Sequence, residues 1–448
     1  MSAIRFREDG LSPLRSNEWA WFLVSILLVV LFSLGLRWGT ALLETGTVWD
    51  EQYIIMPIND LVEQGWSVET AIDFQEAKGP AMIWPYAVWG QVVDASLNGL
   101  RWLSIICFIL TLFPLLLLAR RCGLSPRAYP LVAIGLSLLP YEAVLAQLVM
   151  GEPSYVLLVA CMLAVVLLSD GDHAQPSSPM VSRVLGPVIY GLLLAIILHS
   201  RIHAVPIAGG ICLAMFLRDG VRSWPWWLAS IIAGLLRIPL WIRWGGLVSS
   251  DYQMHHGLGL RLESLTYLGA IFAIPFGIFL FIWLWKYRFL TFWWLAPLGV
   301  LIGLLLGVVA APDLMDPQDL GIVNPISLYL GPTRSAIVAV VSTESLQWIP
   351  MAILAAIGLG GLGAMGGMAL ELKDDTTLAT LCRLQFFAVL CAWGLYMLTK
   401  GFVFDRFVLA WIAAMPVVWI ALLPRWAWGL QAIILAALFI LSAGSWLF

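Results

Sequence analysis

The stretch Trp49-Asp50-Glu51-Gln52-Tyr53 sets two adjacent carboxylates directly after an apolar run from about Trp19 to Trp38. Like charges repel, and apolar surroundings penalise the ionised form of each acid. A pair held in this way suits a general base, or a site that binds an acceptor or a metal. It also suits an interfacial helix start, with Asp50 as the N-cap and Glu51 in the first turn. Lys78, in Phe74-Gln75-Glu76-Ala77-Lys78-Gly79-Pro80, is the first lysine of the chain, and the next is Lys286. Its ammonium could hold a phosphate as a compact point charge, or reach to lipid headgroups. Glu152 precedes Pro153, so it is either a first-turn acid or a second carboxylate facing Asp50, and Glu142 is a deeper intramembrane acid. His199, Arg201 and His203 fall within five positions. The arginine fork there suits bidentate phosphate binding, with headgroup contact as the other reading. Lys400 and Arg406 could bracket an anion, or Asp405 and Arg406 could be a surface pair of little weight. Arg237 and Arg243 lie on a Trp-rich run and read as snorkelling side chains.

These residues need a scaffold, and composition defines its class. The 448 residues are 61% hydrophobic and only 11% charged, with 24 Trp and a mean hydropathy of +0.92. A soluble domain carries roughly a quarter charged residues. The chain therefore reads as an all-α polytopic membrane protein with about twelve or thirteen transmembrane helices. The apolar runs are 19–40, 99–119, 129–147, 153–169, 184–200, 204–217, 226–244, 265–285, 290–311, 348–367, 382–399, 407–422 and 427–446. The run 204–217 is short and could be half of a broken pair with 184–200. Gly79 to Val93 carries Pro80 and Pro85 and reads as a surface or re-entrant helix. No repeat, heptad or appended soluble domain is visible, so residues 1–448 read as one membrane-embedded domain. No small-residue cleavage site follows the basic N-terminal stretch, and the first run is long enough to be retained as a spanning helix.

The loops give the sidedness. With the N-terminus inside, Arg5, Arg7, Arg15, Arg120, Arg121, Arg127, Arg183, Arg218, Arg222, Lys286, Arg288, Lys373, Arg383 and Arg425 share one side. The other side holds segments 41–98, 245–264 and 312–347, where acids outnumber bases. That is the positive-inside pattern, and it turns Asp50 and Glu51 outward. Segment 41–98 mixes acids with Trp49, Trp66, Trp84 and Trp89, as interfacial helices do, and Ile54 to Val62 has near-helical apolar spacing. Segment 312–347, rich in Pro and Asp, has the length of a lid or binding loop. The net charge of -3 and the four lysines exclude a nucleic-acid binder. The six cysteines show no ligand spacing and read as packing residues. There is no phosphate-binding loop, GxSxG elbow or HExxH, and the Gly-rich run 358–367 reads as close helix packing.

Taken together, Asp50-Glu51, Lys78-Gly79-Pro80 through Trp84, Leu100-Arg101-Trp102-Leu103-Ser104 and Phe404-Asp405-Arg406-Phe407 form an ordered set on one side of the membrane. The set resembles that of the GT-C glycosyltransferases, in the branch of the protein O-mannosyltransferases and the bacterial aminoarabinose transferase of lipid A. The resemblance implies a sugar donor carried on polyprenyl phosphate and an acceptor hydroxyl on a glycan, lipid or protein. Asp50 would be the general base, and Glu51 or Glu152 would assist in acceptor binding. Lys78 would contact the donor phosphate, with Arg201 and Arg406 as further charge partners. His203 and Asp405 would be accessory, and the anomeric centre would invert.

The pattern departs from the family where Gly79 replaces a second proline and Phe407 a tyrosine. No soluble outer domain follows the last run, so acceptor recognition is expected from loops 41–98 and 312–347. No cofactor is expected beyond the lipid-linked donor, and no transition metal is obligatory, although metal use varies across the superfamily. A multi-pass protein of the bacterial inner membrane, with its site facing the periplasm or exterior, is the expected setting. A lipid or solute transporter, or a non-catalytic subunit of an envelope-assembly complex, is the alternative. Intramembrane charges near the midplane and internal repeats would mark a transporter.

Overall fold

The structure, a computed structural model, describes residues 16–40, 46–74, 78–139, 142–169, 180–248, 259–287, 291–314, 331–372, 376–398, 403 and 405–447. The arginines of residues 1–15, Glu76, the middle of the 312–347 loop, Lys400 and Phe404 lie outside them.

The described residues are helical, with no strand among them. In chain order the principal helices begin with α1 (Ser16–Gly39), α2 (Glu51–Gln64), α3 (Pro80–Val92), α4 (Leu97–Arg121), α5 (Tyr129–Ser137) and α6 (Glu152–Leu168). They continue with α7 (Met180–Ser200), α8 (Val205–Asp219), α9 (Trp224–Trp244), α10 (Leu262–Ile271), α11 (Ala273–Ile282) and α12 (Leu295–Val309). The last are α13 (Pro332–Val340), α14 (Trp348–Glu371), α15 (Thr377–Tyr396), α16 (Met415–Leu422) and α17 (Arg425–Leu447).

Five stretches are long and apolar enough to cross a bilayer: Glu18–Gly39, Leu97–Arg121, Val205–Trp244, Glu344–Glu371 and Thr377–Tyr396. Leu262–Ile271 and Ala273–Trp285 make a sixth if taken together, bent by 65° at their junction. This is an integral membrane protein built from helices. The count of long spans is below the number of apolar runs for identifiable reasons. Glu152–Leu168, Val184–Ser200, Leu295–Val309 and Arg425–Leu441 are apolar but shorter. The run 129–147 breaks into α5 and a single turn at Glu142–Leu145. Runs 204–217 and 226–244 join as one apolar stretch interrupted at Gly220, whose φ is +57°.

Two contacts fix how the first spans lie. At one end Arg37 of α1 donates to Asn98 of α4 at 2.7 Å, and at the other Arg120 of α4 pairs with Glu18 of α1 at 3.6 Å. The helices are therefore antiparallel and of matching reach. Asp50, which follows α1, lies at the Arg37 end. Between them, α2 lies on the bundle with Ile54, Pro57, Ile58 and Leu61 buried and Met56 exposed. That spacing is the apolar stripe of an amphipathic helix. The next helix, α3, is more deeply held than a surface element: Pro80 to Ile83, Tyr86 and Ala87 are all buried. The Tyr86 hydroxyl meets that of Ser104 at 2.7 Å, and Ser104 donates to the Leu148 carbonyl at 2.6 Å.

The glycines of α14 do what small residues do in membrane bundles. A Cβ on Gly358 would stand 2.0 Å from the Gly269 carbonyl oxygen, and one on Gly361 would stand 2.1 Å from that of Phe276. Backbones touch there, which locks α14 against α10 and α11.

Candidate active site

Asp50 sits at the cap position of α2, but its carboxylate makes no cap bond to that helix. Its Oδ2 accepts from Nη2 of Arg406 at 2.8 Å and lies 3.9 Å from Nζ of Lys78. Both cations are nearly buried, whereas Asp50 keeps 19% of its side chain accessible. One carboxylate thus faces two cations, supplied by segments 28 and 356 residues further along the chain. Two nearly buried cations beside one reachable acid suit an anionic ligand approaching from the open side.

Glu51 is set differently, although it is the next residue. It is fully buried and forms a bidentate pair with Arg101, from Nε at 2.9 Å and Nη2 at 2.6 Å. Its two oxygens also accept from the backbone N–H of Val149 at 2.7 Å and of Val48 at 2.8 Å. Four donors saturate the carboxylate and tie α2, α4 and the turn before α6 to the segment that presents Asp50. In the sequence Arg101 stands within the Leu100–Ser104 motif and carries no role of its own. An arginine well away from the Arg120–Arg121 end of a 25-residue apolar helix was the available signal, because such a charge demands a counter-ion.

Lys78 is placed by Gly79. The Gly79 N–H donates to the Ser200 carbonyl at 2.8 Å, and a Cβ on Gly79 would stand 1.9 Å from the His199 carbonyl oxygen. A proline there would lose the hydrogen bond and clash, which accounts for glycine at this position. The same contact brings the end of α7 beside Lys78. Arg201, immediately after that end, pairs with Glu152 at the start of α6. The Glu152 Oε2 and Glu142 Oε1 atoms are buried without a hydrogen-bond partner among the described residues.

Asp405 is buried and accepts from the Tyr267 hydroxyl and the Thr333 N–H, each at 2.8 Å. It holds the N-terminus of α13 at Gly331, where φ is +103°, and so fixes the turn that carries Arg406. Burial pushes its carboxyl up to about 6, with the bonds from Thr333 and Tyr267 drawing it back. His203 meets the Tyr396 hydroxyl through Nδ1 at 2.7 Å and stacks on that ring. Its carbonyl accepts from Trp411 at 3.0 Å. His199 Nδ1 lies 2.8 Å from the Ala195 carbonyl of its own helix. Among the described residues no group of three His, Cys, Asp or Glu side chains is arranged to hold a metal.

The structure therefore joins Asp50, Lys78 and Arg406 directly, sets the Arg201–Glu152 pair beside them through Gly79, and gives Glu51 and Asp405 saturated, scaffold-like surroundings. Tyr267, Thr333 and Tyr396 also belong to this region. None was legible beforehand, because a tyrosine or threonine in an apolar run has no distinguishing pattern.

No family model matches the chain, and no curated protein matches it in sequence. Among solved structures, the chain is similar to ArnT from Cupriavidus metallidurans in the apo state. The identity is 13% over 96% of this chain and 78% of that one, with a TM-score of 0.41. ArnT bound to undecaprenyl phosphate gives 12% identity over 94% and 78%, with a TM-score of 0.41. An oligosaccharyltransferase from Archaeoglobus fulgidus, tethered to an acceptor peptide, gives 14% over 92% of this chain and 55% of that one, with a TM-score of 0.36.

Proposed function

We propose that this protein is a membrane glycosyltransferase that moves a sugar from a polyprenyl-phosphate donor to an acceptor hydroxyl. The observation that supports it is the Asp50 carboxylate held by Lys78 and Arg406. In this reading the donor phosphate enters between the two cations and takes over their charge. Asp50 is thereby released from its ion pair and becomes a base. It takes the proton of the acceptor hydroxyl, whose oxygen bonds to the anomeric carbon. The bond from that carbon to the phosphate oxygen breaks, and the phosphate leaves with the electron pair. Attack from the face opposite the leaving group inverts the centre. Lys78 and Arg406 offset the charge that develops on the phosphate, and Arg201, held in place by Glu152, is a further charge partner. Glu152 and His203 border the acceptor side, and Asp405 positions Arg406. The setting is a bacterial inner membrane, with the site on the non-cytoplasmic face.

The test is a purified-protein assay with a lipid-linked sugar. Asp50→Asn should fold normally and lose about 10²- to 10⁴-fold in turnover, the usual contribution of a positioned base. Lys78→Ala should raise the apparent KM for donor more than for acceptor. Full turnover in the Asp50 variant would sink the base assignment.

A further inference from the structure

Arg237 lies on α9, on the buried stripe formed with Ala233, Leu240 and Trp244. It was expected to snorkel to water, as Arg243 does on the same helix. Arg243 is largely exposed and pairs with Asp73. Arg237, in contrast, is 2% exposed. Its guanidinium carbon stands 5.9 Å from the centre of the Trp241 ring and 5.7 Å from that of Trp244. Both tryptophans are C-terminal to it on the same helix. The Trp244 indole donates to the Ile72 carbonyl at 3.0 Å. The ring faces offset part of the cationic charge but accept no conventional hydrogen bond. Nε and Nη1 of Arg237 are buried without a hydrogen-bond partner among the described residues, and so is Nε1 of Trp241. No ion pair to Arg237 is found among them either.

A buried guanidinium with no counter-charge is costly in a membrane. Three N–H donors on two neighbouring residues call for a compact anion with several oxygens. Trp241 is only half-buried, and its neighbours Ile238 and Ile242 are exposed, so a lipid-facing surface lies directly beside these donors.

We propose that Arg237 and Trp241 form a binding site for a phosphate group, separate from Asp50, Lys78 and Arg406. The phosphodiester of a membrane lipid is one source, and free phosphate is the other. This site does not depend on the transferase reading, since it needs no donor or acceptor to fill.

The whole protein, delipidated in neutral detergent, would be titrated with dioctanoyl phosphatidylglycerol, inorganic phosphate and dioctanoylglycerol. Binding is read by native mass spectrometry and thermal shift. Phosphatidylglycerol should bind and stabilise the wild type, and dioctanoylglycerol should not. Arg237→Gln should weaken that binding about tenfold or more, as expected for loss of charge-assisted hydrogen bonds. Inorganic phosphate binding that is lost in Arg237→Gln, with no gain from the lipid, would support the site and assign it to free phosphate. If Arg237→Gln does not fold, Trp241→Phe removes one donor and keeps the ring, and should weaken binding several-fold. Equal binding by wild type and whichever variant folds, or no phosphate-dependent binding to the wild type, would overturn the site.

Discussion

Removing the Glu51 carboxylate would take from buried Arg101 the partner of its bidentate ion pair and leave two backbone N–H groups without that acceptor. Loss of one partner from a buried pair costs about 3–5 kcal/mol. Glu51→Ala should therefore lower the thermal midpoint in detergent sharply, and Glu51→Gln, which keeps an acceptor, should lower it less. Turnover should fall in parallel with stability in both. A Glu51→Gln protein of wild-type stability and no turnover would return Glu51 to the chemistry. The sequence showed two adjacent acids but could not separate them, because their charged neighbours come from residues 28 to 356 positions away. Asp50, Lys78 and Arg406 were recognisable because charge is rare in this chain. The division of labour between Asp50 and Glu51 is a tertiary property and leaves no local trace.

At the scale of elements, two junctions decide where the cations sit. The first is the contact between the start of α3 and the end of α7. Gly79→Ala puts a methyl group against the His199 carbonyl, and backbone cannot move aside as a flexible side chain can. The expected outcome is a lower thermal midpoint together with weaker donor binding, because Lys78 moves with the turn. Loss of stability with donor affinity intact would show that Lys78 is placed by something else. The second junction is the hold of Asp405 on α13. Its carboxyl, about 3.8 in the unfolded chain, rises to about 6 in the fold. The folded state thus keeps this proton to higher pH than the unfolded chain does. The stability it contributes is fully present below about pH 4 and is lost as pH rises through about 6. Thermal midpoints measured from pH 4 to 7 should fall more steeply for wild type than for Asp405→Asn, and parallel curves would refute the assignment. The apolar runs foretold most helices, with α2 and the close packing of α14 the clearest. They did not reveal the break after α5 or the depth of α3, since tertiary contacts such as Tyr86 to Ser104 decide those.

For the whole molecule, the argument turns on one end of the bundle. Arg37 and Asn98 mark the end where Asp50 lies, and Glu18 and Arg120 mark the other, where α4 finishes with Arg120 and Arg121. Basic residues are retained on the cytoplasmic side, and on that rule we propose that the cluster of Asp50, Lys78 and Arg406 lies on the far side. There a lipid-borne sugar and its acceptor could meet without crossing the bilayer. Exposed positions on the two ends make this testable: Glu69 lies beyond α2, and Arg127 lies in the turn after α4. Single Glu69→Cys and Arg127→Cys proteins would be expressed in cells and treated with a membrane-impermeant maleimide. Four of the six native cysteines are buried and the other two half-buried, so background labelling is low and is subtracted using the parent protein. Residue 69 should label in intact cells, and residue 127 only after the membrane is opened. The reverse pattern would put the cluster in the cytoplasm, and with it any donor the protein uses.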